Sequence, residues 1–156
     1  MPLLSVVVPV YNEERTVGAL LEAVLSAPLP EGVESEVVVV DDASTDGTPS
    51  RLARLASDPR VRVFRQEPNR GKGAALRRGF AEARGDFVVV QDADLEYDPA
   101  QLPEVIAPIV RGEAAVVYGS RFRGSIRGMR LANRLANHLL TVTANLLYRA
   151  QITDEA

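Results

Sequence analysis

The 156 residues include 18 basic and 21 acidic side chains, one histidine and no cysteine, and 46% of them are apolar. That is enough for one globular domain with a true core, and it excludes disulfides, thiolate metal sites and a cysteine nucleophile. A net charge of −3 gives no reason to expect a nucleic-acid partner.

The start, Met1 to Ser5, lacks the basic region and long apolar run of a signal peptide. Leu4–Val10 is predicted as a strand apolar on both faces, as buried parallel strands are. Asn12 is predicted to cap a helix running through Leu25. Glu36–Val40 reads as the second strand, and like the first it is far too short to span a bilayer. Thr48-Pro49 supplies a cap and a first-turn proline for a helix through Ala56. Val61–Arg65 is the third strand, followed by a helix over Gly73–Arg84 that stops at Gly85. Phe87–Gln91 is the fourth, Asp98-Pro99-Ala100-Gln101 a capped helix start, and Ala114–Tyr118 the fifth strand.

After Gly119 the rhythm changes. Ser120–Gly128 reads as an Arg/Gly-rich loop and Met129–Arg149 as a long helix, whose stripe of Leu131, Leu135, Leu139, Val142, Leu146 and Leu147 suits core packing. Residues 121–156 hold six arginines against two acids. Arg121, Arg123, Arg127, Arg130 and Arg134 therefore suit an anionic ligand, or equally a solvated helix face. His138, the sole histidine, has no neighbouring catalytic partner in sequence and reads as structural.

Alternating strands and helices predict an α/β fold: one domain over residues 1–156, with an open, mostly parallel sheet and helices on both faces. Ligands of such sheets gather at the carboxyl ends of the strands. There the sequence places Tyr11-Asn12-Glu13, Asp41-Asp42 and Asp92-Ala93-Asp94, and a bound cation would relieve the repulsion among these acids. In an extended segment Asp92, Asp94 and Glu96 would share one face, offering hard oxygen ligands to Mg²⁺ or Mn²⁺, although Asp-x-Asp is also ordinary turn chemistry. Asp42 can accept from a nucleobase N–H or a ribose hydroxyl, while Ser44, Thr45 and Asp46 suit the turn itself. Asn69-Arg70-Gly71-Lys72-Gly73 permits close approach of an anion, with Lys72 either on phosphate or in solvent. It is not a P-loop: Gln66 stands where the first glycine belongs and no Ser or Thr follows Lys72. Leu76 likewise breaks a G-x-G-x-x-G pattern.

Val8-Pro9-Val10-Tyr11-Asn12-Glu13-Glu14, Val40 to Thr48, Asn69 to Gly73 and Asp92-Ala93-Asp94 occur in order and at suitable spacing. Together they resemble the family 2 inverting glycosyltransferases, with their GT-A, Rossmann-like nucleotide-diphospho-sugar transferase fold, and most closely the dolichyl- and polyprenyl-phosphate sugar transferases. The resemblance implies a GDP- or UDP-sugar donor, with Pro9, Tyr11, Glu13, Val40, Asp42 and Lys72 around the nucleotide and Asp92, Ala93 and Asp94 at the ribose, diphosphate and metal. It implies Mg²⁺ or Mn²⁺ held by Asp92, Asp94 and Glu96, with Glu96 standing where relatives often carry Gln. Asp94 and Arg121 would be catalytic, and Arg121 with Arg134 would meet the phosphate of a lipid acceptor. His138 falls where many relatives carry Arg, and the chain stops at Thr153-Asp154-Glu155-Ala156 inside a motif that normally continues. The expectation is thus a cytoplasmic catalytic domain truncated on its acceptor side, peripheral at the inner membrane face, without a transmembrane helix. Two alternatives stand beside it: a nucleotide-sugar-binding module without turnover, and a receiver-type phosphotransfer domain. In the latter the paired acids would follow the first strand, not the second and fourth.

Overall fold

β-Branched runs form four strands, β1 (Leu3–Val10), β2 (Glu34–Asp41), β3 (Val61–Arg65) and β4 (Phe87–Val90), in a computed structural model that describes residues 1–119 and 142–143. The chain packs as two compact units, Met1–Ala107 and Pro108–Ala156, and the sheet belongs wholly to the first. All pairings are parallel, in the order β3-β2-β1-β4. The central strands are valine-rich because both their faces are covered: Val6–Val8 and Val37–Val40 are at most 1% exposed.

Between and after them run the helices α1 (Val17–Ser26), α2 (Thr48–Leu55), α3 (Lys72–Glu82) and α4 (Leu102–Val110). Parallel strands are joined by right-handed crossovers. The steps β1 to β2 to β3 run in one direction, which puts α1 and α2 together on one face, where they touch. The step from β3 to β4 runs back across the sheet, so α3 lies on the opposite face, against β1 and β2. Gly79 makes that approach close, since a Cβ there would collide with Val7 Cγ1. The expected parallel sheet with helices on both faces is what forms. Its direction of winding reverses between β1 and β4, the place where such sheets open a crevice.

Several local expectations are corrected. Ala114–Tyr118 forms no strand; Val116 and Tyr118 are exposed, and β4 pairs with β1 alone among the described residues. A run of apolar residues permits an extended chain, but a strand exists only with a ladder partner. Asn12 does not cap α1, which begins at Val17 behind Thr16; Asn12 instead adopts φ +56°. Thr48 is the first residue of α2 rather than its cap, with Gly47 before it and Pro49 in the first turn as expected. α3 ends at Glu82, short of Gly85. Asp98 does cap, accepting from Ala100 N at 2.9 Å to start a 3-10 turn, Pro99–Gln101, that leads into α4. The Ser120–Gly128 loop, His138 and the Met129–Arg149 helix lie outside the described residues, apart from Val142 and Thr143, which are helical.

Candidate functional site

At the reversal point the carboxyl ends of β1 and β4 border an open cleft of about 190 Å³. The end of β1 contributes Pro9 and Val10, and the loop after it Tyr11 and Glu13; the loop after β4 contributes Asp92, Ala93 and Asp94. Asp42 from the end of β2, with Lys72 and Ala75 from the start of α3, completes the wall.

Each of the four loops around this cleft contains one residue in the left-handed backbone region: Asn12 (φ +56°), Ala43 (+60°), Gly71 (+83°) and Leu95 (+63°). Asn and Gly tolerate that region, whereas Ala and Leu hold it at about 1–2 kcal/mol each. Bonds between neighbouring loops enforce it. Asn12 N donates to Ser44 Oγ at 2.9 Å, and Asn12 Oδ1 accepts from Thr45 N at 2.8 Å. Glu13 N donates to Thr48 Oγ1 at 2.9 Å, Glu14 N to Asp46 Oδ2 at 3.2 Å, and Gly47 N to Glu14 Oε2 at 3.1 Å. Ser44, Thr45 and Asp46 are thus turn builders, as their sequence context suggests, and they stitch the first loop to the second.

Asp42 is 2% exposed and does more than line the cleft. Oδ1 accepts from Gln66 Nε2 at 2.6 Å and Arg70 N at 2.8 Å, and Oδ2 from Gly71 N at 2.6 Å. Burial alone would raise this carboxyl, but those three bonds and the Arg70 charge outweigh it and hold Asp42 below its ordinary value. Asp42 therefore anchors the loop that carries Lys72. From there Lys72 Nζ meets both oxygens of Asp92, at 2.7 and 2.8 Å.

The segment after β4 is a turn, not the extended run that would align Asp92, Asp94 and Glu96. Leu95 reverses its course in the left-handed region, and Asp94 Oδ1 accepts from Glu96 N at 3.0 Å. Asp92 and Asp94 face the cleft, while Glu96 is exposed and absent from its wall. Among the described residues no three His, Cys, Asp or Glu side chains are grouped to hold a metal. Val40, expected beside the base, is fully buried: it pairs with Pro9 and Phe64 across the sheet and also lies off the wall. Pro9, Tyr11, Glu13, Asp42, Lys72, Asp92, Ala93 and Asp94 are brought together as expected. Arg121 and Arg134 lie outside the described residues. Sequence reasoning missed Val10 and Ala75 on the wall and the role of Asn12; the only signal for Asn12 was its residue type, since asparagine is enriched among non-glycine residues with left-handed backbone.

Known proteins resemble this chain in sequence and in fold. Residues 5–153 match the family described as Glycosyl transferase family 2. An undecaprenyl-phosphate 4-deoxy-4-formamido-L-arabinose transferase of Pectobacterium carotovorum is 35% identical over 93% of this chain and 42% of its own length. A dolichol-phosphate mannosyltransferase of Pyrococcus furiosus is 37% identical over 83% of this chain and 35% of its own. The chain therefore spans less than half the length of these relatives. A mannosyltransferase from Pyrobaculum calidifontis, solved with GDP-Man and Mn²⁺, superposes with a TM-score of 0.60 and 37% identity over 67% of this chain and 31% of the other.

Proposed function

This chain belongs to glycosyl transferase family 2, and from that premise we propose that it moves a sugar, with inversion, from a GDP- or UDP-sugar to a polyprenyl or dolichyl phosphate. The observation that carries the reading is the convergence, on one cleft at the reversal point, of the β1-end residues with Lys72, Asp92 and Asp94. The cleft is smaller than the roughly 300–1,000 Å³ of whole small-molecule sites, so it would take the nucleotide portion of an elongated donor. Pro9, Tyr11 and Glu13 would flank the base and ribose. Asp42, with one oxygen lone pair left beyond its three bonds, would accept an N–H of the base.

Asp92 and Asp94 fit a divalent cation by chemistry: both are hard oxygen donors on the cleft wall, and two carboxylates leave positions for phosphate oxygens. Glu96, off the wall, is not part of the set proposed. Bound there, Mg²⁺ or Mn²⁺ would neutralise charge on the departing nucleoside diphosphate. Lys72 orients Asp92 through both oxygens and stands within the same cleft to meet the diphosphate. A hydroxyl acceptor would require a free carboxylate to take its proton, whereas a lipid phosphate is already an anion. Among the described wall residues, Asp42 keeps one lone pair beyond its three donors, which this reading assigns to the base, and Glu13 already accepts through Oε2 from Thr16 Oγ1 at 2.6 Å. That leaves the metal-side acids and supports a phosphate acceptor, met by Arg121 and Arg134, with Arg121 and Asp94 as the catalytic pair.

Residues 1–156 are read as one catalytic domain, because the family match runs from residue 5 to 153 across both units. The lipid-phosphate names of the relatives support a peripheral position at the inner membrane face. No helix among the described residues is long and apolar enough to cross a membrane.

Calorimetric titration with a panel of GDP- and UDP-sugars, with and without Mn²⁺, tests the reading. Metal-dependent binding of at least one is expected, and binding of none sinks it. Transfer of labelled sugar to a polyprenyl phosphate then distinguishes a transferase from a binding module without turnover.

A further inference from the structure

A second cleft, of about 560 Å³, opens between the end of β3 and the first turns of α3. It lies behind the first one: Gln66 and Arg70, on its wall, are two of the three residues that donate to the Asp42 carboxylate. Its lining is dominated by Arg65, Arg70, Arg77 and Arg78. Helical spacing accounts for the grouping, since Ala74, Arg77 and Arg78 rise on one side of α3 above Arg70, and the small Ala74 leaves the space between them open.

The four guanidinium groups are not equivalent. Arg65 is consumed by Asp41, at 2.5 Å, and by Glu67, at 2.8 Å. Arg78 donates to Arg65 O at 3.0 Å and lies over the Phe64 ring, with Glu82 at 4.0 Å. Among the described residues the Arg70 and Arg77 side chains make no hydrogen bond and no salt bridge. Like charges gathered in a polar cleft repel unless an anion joins them, and guanidinium groups meet phosphate oxygens in pairs. We propose that this cleft binds a phosphate group, with Arg70 and Arg77 as its main charged donors and Arg78 beside them. The phosphate can be free or part of an anionic lipid headgroup. This inference is independent of the sugar-transfer reading.

Two probes test it: inorganic phosphate by calorimetry, and phosphatidylglycerol vesicles by flotation against phosphatidylcholine vesicles. At least one should bind, and Arg77→Gln should weaken that binding about tenfold, with Arg70→Gln/Arg77→Gln weakening it further. Arg77→Lys, which keeps the charge but not the paired N–H groups, should fall between the native chain and Arg77→Gln, which guards against mere misfolding of the glutamine variant. Lys72→Ala, in the first cleft, and Arg51→Gln, an exposed arginine of α2, should leave it within about twofold. Binding of vesicles alone assigns a lipid headgroup, and binding of both assigns the phosphate group itself. Binding of neither probe overturns the proposal. So does loss with Lys72→Ala but not Arg77→Gln, or equal loss with Arg51→Gln.

Discussion

At the amino end of the sheet Glu36 is enclosed by donors, Ser5 Oγ at 2.7 Å, Arg84 N at 2.7 Å and Arg62 Nη1 at 3.2 Å, while at the carboxyl end, among the described residues, the Asp94 side chain accepts from the N–H of Glu96 and that of Asp92 from Lys72. The closed end is knit further: Gly85 N donates to Ser5 Oγ at 2.8 Å, and Arg62 Nη1 to Glu82 O at 2.8 Å. Burial explains the saturation, because Glu36 is 7% exposed and a buried carboxylate without partners would cost several kcal/mol. At the open end acceptors stay available and the backbone holds strain. One sheet thus saturates Glu36 at one end, while at the other the anchored Asp42 stands beside two cleft-facing acids, Asp92 and Asp94, that have few partners.

Changes at the two ends should therefore be read by different measurements. The largest effect is expected from Asp94→Ala, which should weaken metal-dependent nucleotide-sugar binding on the order of 100-fold while shifting stability by less than about 0.5 kcal/mol. A comparable loss of stability would erase the distinction between the ends. Gly85→Ala should do the reverse. A Cβ there would lie 2.6 Å from Leu3 O, 2.7 Å from Ser5 N and 2.8 Å from Phe87 O, all backbone. Urea unfolding should show a loss of about 3 kcal/mol, with any folded protein binding donor normally.

Glu36→Gln keeps the shape but weakens the bonds to Ser5, Arg62 and Arg84 N, and should cost about 2 kcal/mol by the same assay. The pH dependence follows from the same group. Burial pushes the Glu36 carboxyl up, yet its bonds from Ser5, Arg84 and Arg62 win and hold it below its ordinary value. A lowered carboxylate adds stability that is fully present above the ordinary carboxylate range and drains away as pH falls through the lower folded value. Melting temperatures across pH 2–6 should show that acid limb in the native chain and in Asp94→Ala, and a shallower one in Glu36→Gln. The smallest effect is expected for Leu95→Gly. Relief of a left-handed leucine that is 45% exposed should stabilise the fold by up to about 1 kcal/mol, and donor affinity should fall a few-fold as the turn loses its hold on Asp94. Unchanged affinity would mean that the strain does not position Asp94.

Much of this was legible in the linear chain because it depends on local periodicity. The valine runs of β1 and β2, the proline opening α2 and the Asp98 cap follow from residue types and spacing alone. So does the placing of polar residues at strand ends, and hence most of the cleft wall. The fifth strand was misread because pairing is a tertiary event, and the Asp92–Glu96 alignment because one left-handed leucine undoes the two-residue period. Asp42 looked like a ligand, but three donors from Gln66, Arg70 and Gly71, over 20 residues away in sequence, make it an anchor as well.

What the sequence by itself determined was the alternation of strands and helices, the four ordered motifs and the chemistry available at each strand end. Only the tertiary structure decided which ends meet. The reversal of winding between β1 and β4 opens the cleft, puts Lys72 onto Asp92 and leaves Val40 and Glu96 off the wall. The physical reason is that side-chain periodicity and turn propensity are carried by neighbouring residues, whereas strand order and the bonds that hold strained loops join residues far apart in the chain.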